Sequence, residues 1–231
     1  MSATITSNHY QERLSRFQDR LSEAITRRLP SGKRININRQ GHVYNSGDRD
    51  GAVYLVECGQ VKTVTYSPDG KQCLLSIYTS GDVFGELCLV SDVCSETATA
   101  MRPTVLQRIP VAVFRRILVD EKLLEAFLGH LAIRLSEQQE VIKNMVTMDS
   151  ERRLAATLLM LGRKLGKRHQ RGIRIDYHIT QEELSGMVGT TRSRVGYFLK
   201  RFCEAGLVYR GPGAPLVIDE RSLSAYLEMS T

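Results

Sequence analysis

Tryptophan is absent from this chain, and aromatic residues make up only 6% of it. Proteins that hold single-stranded nucleic acid stack bases on exposed rings, so that class is disfavoured. The five cysteines, Cys58, Cys73, Cys88, Cys94 and Cys203, form no C-x-x-C pair, and their number is odd. That spacing points to reduced intracellular thiols and not to a disulfide framework or a zinc site. No run approaches the roughly 20 apolar residues of a membrane span, and no basic start leads into an apolar stretch as in a signal peptide. A cytoplasmic protein with no membrane partner is expected. Internal repeats and low-complexity segments are also lacking. Between Arg34 and Ile109 the only histidine is His42. An enzyme on a jelly-roll scaffold, with His and Glu ligands converging on a metal, is therefore disfavoured. No catalytic residue and no metal are expected.

What the chain does have is a basic excess, and its location is informative. The net charge is +7 over 231 residues. From Asp149 to Thr231 there are 14 Lys and Arg against 9 Asp and Glu, a net of +5, while residues 1–148 hold 18 and 16, a net of +2. An anionic partner for the C-terminal part is the natural reading. The length fits two modest domains.

Taken in order, residues 1–8 show no pattern. His9 to Leu29 is amphipathic, with Tyr10, Leu14, Phe17, Leu21 and Ile25 at helical spacing, and Pro30, Ser31 and Gly32 end it. From Arg34 to about Ile109 the period changes to short strands with turn residues between them, Ser67-Pro68-Asp69-Gly70 being a clear hairpin connection. Regularly spaced short strands predict a barrel or jelly roll. Pro110 opens a short helix. From Glu121 to about Thr147, Leu124, Leu128, Leu131, Leu135, Gln138, Ile142 and Met145 alternate spacings of four and three. That is a coiled-coil seam three heptads long, broken once by a polar residue. A helix of about 25 residues is roughly 37 Å long, more than a small β domain needs, and reads as a dimerisation helix. Asp149 begins the next segment, a helix to Lys164 followed by a basic loop through Arg174.

The stretch from Ile179 to Leu207 reads as two helices with a tight turn. Thr180 and Glu183 make a capping box, and Leu184, Met187 and Val188 form the first apolar face. Gly189 supplies the turn. Thr190 or Thr191 caps a second helix whose Val195, Phe198, Leu199 and Phe202 lie at i, i+3, i+4 and i+7. Its other face carries Arg192, Ser193, Gly196, Tyr197 and Lys200. A helix buried on one side, cationic on the other and pinned by a first helix suits a DNA major groove. Short strands before and after it, with GPGAP as the last turn, predict a winged helix-turn-helix.

Two motifs stand in this framework: Gly81-Asp82-Val83-Phe84-Gly85-Glu86-Leu87, and Val188-Gly189-Thr190-Thr191-Arg192-Ser193-Arg194-Val195-Gly196. Joined by a heptad helix, they resemble the superfamily of the cyclic-AMP receptor protein and the fumarate-nitrate reduction regulator, from about Leu14 to Ile218. The expected fold is α+β. Residues 1–120 would form an N-terminal helix and a β-roll sensory domain of the cyclic-nucleotide-binding kind. Residues 121–148 would form the dimerisation helix, with Leu124, Leu128, Leu131, Leu135, Ile142 and Met145 as its seam. Residues 149–231 would form the winged helix-turn-helix. The resemblance implies a homodimeric bacterial transcription regulator. Its partners would be double-stranded DNA with an inverted-repeat site, a second copy of itself and RNA polymerase. A cyclic-nucleotide-binding module tied to a non-DNA activity is the competing class, and the winged helix-turn-helix argues against it.

Carried over position by position, the base-reading places hold Arg192, Ser193 and Tyr197, where the cyclic-AMP receptor has Arg, Glu and Arg. Arg192 retains the fork that matches guanine, Ser193 cannot select cytosine as a carboxylate can, and Tyr197 offers a ring for a thymine methyl. Thr180, Thr191, Arg194, Lys200 and Arg201 are the phosphate candidates. In the sensory domain, Gly85, Glu86 and Leu87 match the segment whose glutamate holds a ribose hydroxyl. Ten residues on, the family's phosphate-neutralising arginine is replaced by Glu96, followed by Thr97. At an effective dielectric near 20, like charges about 4 Å apart repel by roughly 4 kcal/mol. The family's adenine-contacting Thr-Ser pair falls on Gln138 and Gln139. Cyclic AMP is thus an unsuitable ligand. Cyclic di-GMP or another small molecule, with Arg102, His130 or Arg134 as cations, is an alternative input, as is no ligand at all.

Overall fold

A computed structural model describes residues 16–29, 32–68, 70, 72–177, 179–210 and 215–229. The first part of the N-terminal helix expected from His9, with Tyr10 and Leu14, lies outside the described residues, as do the glycines of GPGAP. The chain forms two compact units. The first comprises residues up to Tyr66 together with Leu75–Gln139. The second comprises Ser67–Leu74 and Glu140 onward.

In the first unit, residues 16–28 form helix α1. Eight strands follow: β1 (Arg34–Ile37), β2 (His42–Tyr44), β3 (Ala52–Cys58), β4 (Gln60–Tyr66), β5 (Gln72–Thr79), β6 (Val83–Phe84), β7 (Thr97–Ala100) and β8 (Thr104–Pro110), with β5 starting in the part of its hairpin that belongs to the second unit. They make two four-stranded sheets in the orders β1-β8-β3-β6 and β2-β7-β4-β5. β8 runs antiparallel to β1 and β3, β6 to β3, and β7 to β2 and β4. Such a pair of sheets needs one inner face each. β3 is buried along most of its length, and Tyr54, Val56, Phe84, Ala98 and Leu106 meet inside the roll. Outside, Phe17, Leu21 and Ile25 of α1 close over Val53, Leu55 and Ile109. Phe114 and Ile117 of α2 (Val111–Asp120) and Phe127 of α3 (Leu124–Thr147) complete that cluster. Burial on this scale stabilises by about 25 cal/mol per Å² of apolar area.

α3 begins at Leu124, the first seam residue, three residues after the Glu121 start expected. Lys122 adopts φ 54° and Leu123 is buried, so residues 121–123 form a turn and not a first helical turn.

The second unit contains α4 (Ser150–Leu165), capped by the Asp149 carboxylate, which accepts from the N–H groups of Glu151 and Arg152. β9 (Gly166–His169), β10 (Gly172–Ile175), β11 (Val208–Tyr209) and β12 (Leu216–Ile218) form one antiparallel sheet in the order β11-β12-β10-β9. The basic loop expected after α4 is thus partly a strand, β9. Between β10 and β11 lie α5 (Gln181–Val188) and α6 (Arg192–Glu204), and α7 (Glu220–Glu228) follows β12. The α+β architecture of β-roll, long helix and winged helix-turn-helix is therefore the observed one. No helix among the described residues is long and apolar enough to cross a membrane.

Candidate DNA-reading helix and sensory site

The α5 N-terminus is built as its sequence dictates. Thr180 Oγ1 accepts from Glu183 N at 3.1 Å, and the Glu183 carboxylate accepts from Thr180 N at 2.9 Å. The two side chains satisfy donors that a helix start leaves orphaned. Gly189 ends α5 at φ 70°, a left-handed conformation that disfavours a Cβ. Thr191 then caps α6, its hydroxyl accepting from Arg194 N at 3.3 Å. Val195, Phe198, Leu199 and Phe202 are buried, while Arg192, Ser193, Arg194, Tyr197, Lys200 and Arg201 are exposed. Gly196 has a packing role that the sequence pattern missed. A Cβ there would come within 3.2 Å of the Gln181 side chain, so the glycine lets α5 and α6 cross closely.

The exposed face is not uniformly open to a ligand. Lys200 approaches Glu204 at 3.8 Å, both well exposed, an ion pair worth little in water. Arg201 Nη1 donates to Glu151 Oε2 at 2.7 Å, and its guanidinium lies 5.9 Å from the Tyr197 ring centre. The Arg194 guanidinium lies 5.8 Å from the Phe198 ring centre.

Among the candidate effector residues, Glu86 and Glu96 are half-buried. Gly85 takes φ 83° and opens a short 3-10 turn, Glu86–Leu89. A Cβ at Gly85 would meet the Ala52 carbonyl at 3.0 Å. Glu86 is ion-paired with Arg134 of α3, and Arg134 Nη2 donates to the Tyr78 hydroxyl at 2.6 Å. The guanidinium also stands 5.3 Å from the Tyr78 ring centre. A ligand hydroxyl seeking Glu86 must compete with this cation. The Tyr44 hydroxyl donates to Glu96 Oε1 at 3.1 Å. Burial raises the Glu96 pKa above its ordinary 4.5, against the lowering effect of that hydrogen bond. The Tyr44 phenol is raised in turn, by burial first and by Glu96 second. Tyr44, Tyr54, Tyr78 and Phe84 fill the roll around these groups, with neighbouring ring centres 5.2 to 6.2 Å apart.

Thr97 is buried, and its hydroxyl accepts from Ser46 N at 3.1 Å. Leu87 is exposed. Gln138 and Gln139 are exposed on α3, and among the described residues no hydrogen bond joins them to Glu86 or Glu96. Of the three cations that the sequence offers for a ligand, Arg134 faces the site. The His130 ring packs 5.4 Å from Phe17 and 6.3 Å from Phe127. Tyr78 and Tyr44 were the residues sequence reasoning missed, because alternation along a strand does not say which tyrosine turns inward with its hydroxyl. Among the described residues no group of His, Cys, Asp and Glu is arranged to hold a metal.

Known proteins match both halves. The profile of the cyclic nucleotide-binding domain covers residues 34–121, and that of the Crp-like helix-turn-helix domain covers residues 152–226. The chain belongs to the superfamily of the cyclic-AMP receptor protein and the fumarate-nitrate reduction regulator. A CRP-like cAMP-activated global transcriptional regulator of Mycobacterium tuberculosis is 27% identical over 204 residues, covering 87% of this chain and 89% of the relative. The solved structure of a CooA mutant from Carboxydothermus hydrogenoformans superposes with a TM-score of 0.73 at 22% identity, covering 86% of this chain and 89% of the other. The c-di-GMP responsive global regulator CLP of Xanthomonas campestris gives 0.70 at 22% identity, covering 85% and 98%. These two are likenesses of fold. As a member of this superfamily the chain is a CRP-like transcription regulator, with a cyclic nucleotide-binding domain at residues 34–121 and a DNA-binding helix-turn-helix at residues 152–226.

Proposed function

We propose that the chain acts as a homodimer that reads an inverted-repeat DNA site through α6. The observations that carry this are the exposed polar face of α6 and, separately, an exposed apolar seam on α3. Leu124, Leu128, Leu135, Ile142 and Met145 are each exposed in the single chain, with Leu135 at 61% and Ile142 at 63%, and only Leu131 packs partly against the core. An apolar heptad seam left in water calls for a partner helix, and a second copy supplies one of matching register. Pairing there sets two recognition helices about 34 Å apart, one turn of DNA.

Arg192, Ser193 and Tyr197 read base edges, and Thr180, Thr191, Arg194 and Lys200 contact phosphates. No catalytic role is assigned to any residue, RNA polymerase is the further partner, and the work is cytoplasmic. A gel-shift titration across salt with a duplex selected from random sequence tests the reading. Binding should weaken steeply as salt rises, and Arg192→Ala should cost about 1–3 kcal/mol per half-site. Undiminished binding by Arg192→Ala would remove α6 from the groove.

For the sensory site, we infer that cyclic AMP is not the ligand. The place of the phosphate-neutralising arginine holds Glu96, and Glu86 is already engaged by Arg134. Cyclic di-GMP is the second reading. A guanine base presents two adjacent N–H donors that a carboxylate such as Glu96 accepts, and Arg134 supplies a cation for phosphate. The likeness of fold to the c-di-GMP responsive regulator of Xanthomonas supports this reading. A thermal-shift panel with cyclic AMP, cyclic GMP and cyclic di-GMP separates the two, since only a ligand of the folded state raises the melting temperature.

A further inference from the structure

Arg201 is one of seven exposed polar residues on α6, and charge alone would assign it to a phosphate. Its surroundings say otherwise. Its Nη1 donates to Glu151 Oε2 at 2.7 Å. The Glu151 side chain is only 16% exposed, against 51% for Arg201. Glu151 also lies in the first turn of α4, near enough to Tyr226 of α7 for its charge to raise the phenol's pKa after burial does. Tyr226 in turn packs edge-on against Phe202, the residue after Arg201, with ring centres 5.6 Å apart. The carboxylate thus stands where α4 packs against α6 and α7. Swinging Arg201 out to a phosphate would leave a largely buried carboxylate without its cation, which is costly. From that anchor the guanidinium stands 5.9 Å from the centre of the Tyr197 ring, within reach of its negative face.

Tyr197 itself is 60% exposed, and besides the Arg201 guanidinium its ring has an edge contact with Phe198, centres 5.8 Å apart. An exposed side chain loses rotamer freedom on binding, and one that is ordered beforehand loses less. We propose that Arg201 is a positioning residue, which Glu151 anchors over the Tyr197 ring so that Tyr197 enters the groove in one set orientation and discriminates one base pair. This rests on the reading of α6 as the recognition helix. It departs from a phosphate role for Arg201: with its charge neutralised by Glu151, the residue adds specificity and little electrostatic affinity.

The test uses the full chain and the duplex it selects from a random library, together with single base-pair variants of that duplex. Dissociation constants are measured for wild type, Tyr197→Ala, Glu151→Gln and Arg201→Met over a range of salt, with a thermal melt of each. Tyr197→Ala identifies the base pair it reads. Glu151→Gln and Arg201→Met are expected to flatten discrimination at that same base pair by about three- to tenfold, within the span of one side-chain-to-base interaction. Discrimination elsewhere should stay as in wild type, the salt slope should stay so for Arg201→Met, and the double variant should discriminate no worse than either single one. A phosphate role predicts the opposite. Arg201→Met would then weaken all duplexes alike and lower the salt slope by about 0.9 for each phosphate left unneutralised. That result overturns the proposal, as does Tyr197→Ala leaving every base pair's discrimination intact. If Glu151→Gln melts early, Arg201→Met makes the same test without disturbing the first turn of α4. If wild type selects no duplex, the reading of α6 itself fails and the proposal falls with it. If it does select one, only the outcomes above decide the proposal.

Discussion

Burial holds the Glu96 proton to higher pH than an ordinary glutamate does, even with the Tyr44 hydroxyl donating to it. The sign follows from linkage. A carboxyl whose folded pKa lies above its unfolded one binds its proton more tightly when folded. Its contribution to stability is therefore fullest below the unfolded pKa near 4.5 and is lost as pH rises through the raised value. Glu96→Gln, which cannot ionise, should melt higher than wild type at neutral pH, and the gap should close as pH falls toward 4.5. Melting curves across that range check it, and a gap independent of pH would contradict it. The proposal that cyclic AMP is not the ligand rests on the same side chain. Calorimetry with cyclic AMP should show no binding in the micromolar range, and a clear micromolar isotherm would refute the inference. Glu96 was legible in the sequence because one motif fixes the register of the next ten residues. The engagement of Glu86 by Arg134 was not, since the sequence places Arg134 on a helix without saying which neighbour its long side chain reaches.

At the scale of single elements, α3 and α5 show what patterning can and cannot settle. The spacing of four and three on α3 predicts a seam, and Leu124, Leu128, Leu135, Ile142 and Met145 are exposed in the single chain, as the proposed pairing requires. Leu135→Glu should leave the single chain folded, since that side chain is 61% exposed. It should shift sedimentation to a monomer and weaken operator binding with it. An unchanged sedimentation coefficient would remove α3 from the interface. The start of α3 was harder to read, because Leu123 is apolar like its neighbours and only the backbone reveals the turn at Lys122. β9 was missed for a related reason. Lys167, Arg168 and His169 offer no apolar alternation, and an edge strand needs none when its neighbour β10 supplies the pairing. The capping box on α5, by contrast, is a local device and was fully visible. Thr180→Ala should cost about 0.5–2 kcal/mol by removing a cap, a loss that urea denaturation reads directly. A loss below the error of that measurement would mean water serves the helix start equally well.

For the whole molecule, the order of β-roll, long helix and winged helix-turn-helix was predictable because each part has its own period and turn chemistry. The two units meet the chain's two needs separately, one presenting Glu86, Glu96 and Arg134, the other presenting α6. A ligand can change DNA binding only by favouring one arrangement of the chain over another, whatever its affinity. Two copies of this chain are proposed to read one duplex. Fluorescence anisotropy under stoichiometric conditions measures this, with a labelled duplex carrying the selected inverted repeat. Saturation is expected at two chains per duplex, with a large loss of affinity when one half-site is scrambled. Saturation at one chain per duplex, or equal affinity for the scrambled site, would contradict it.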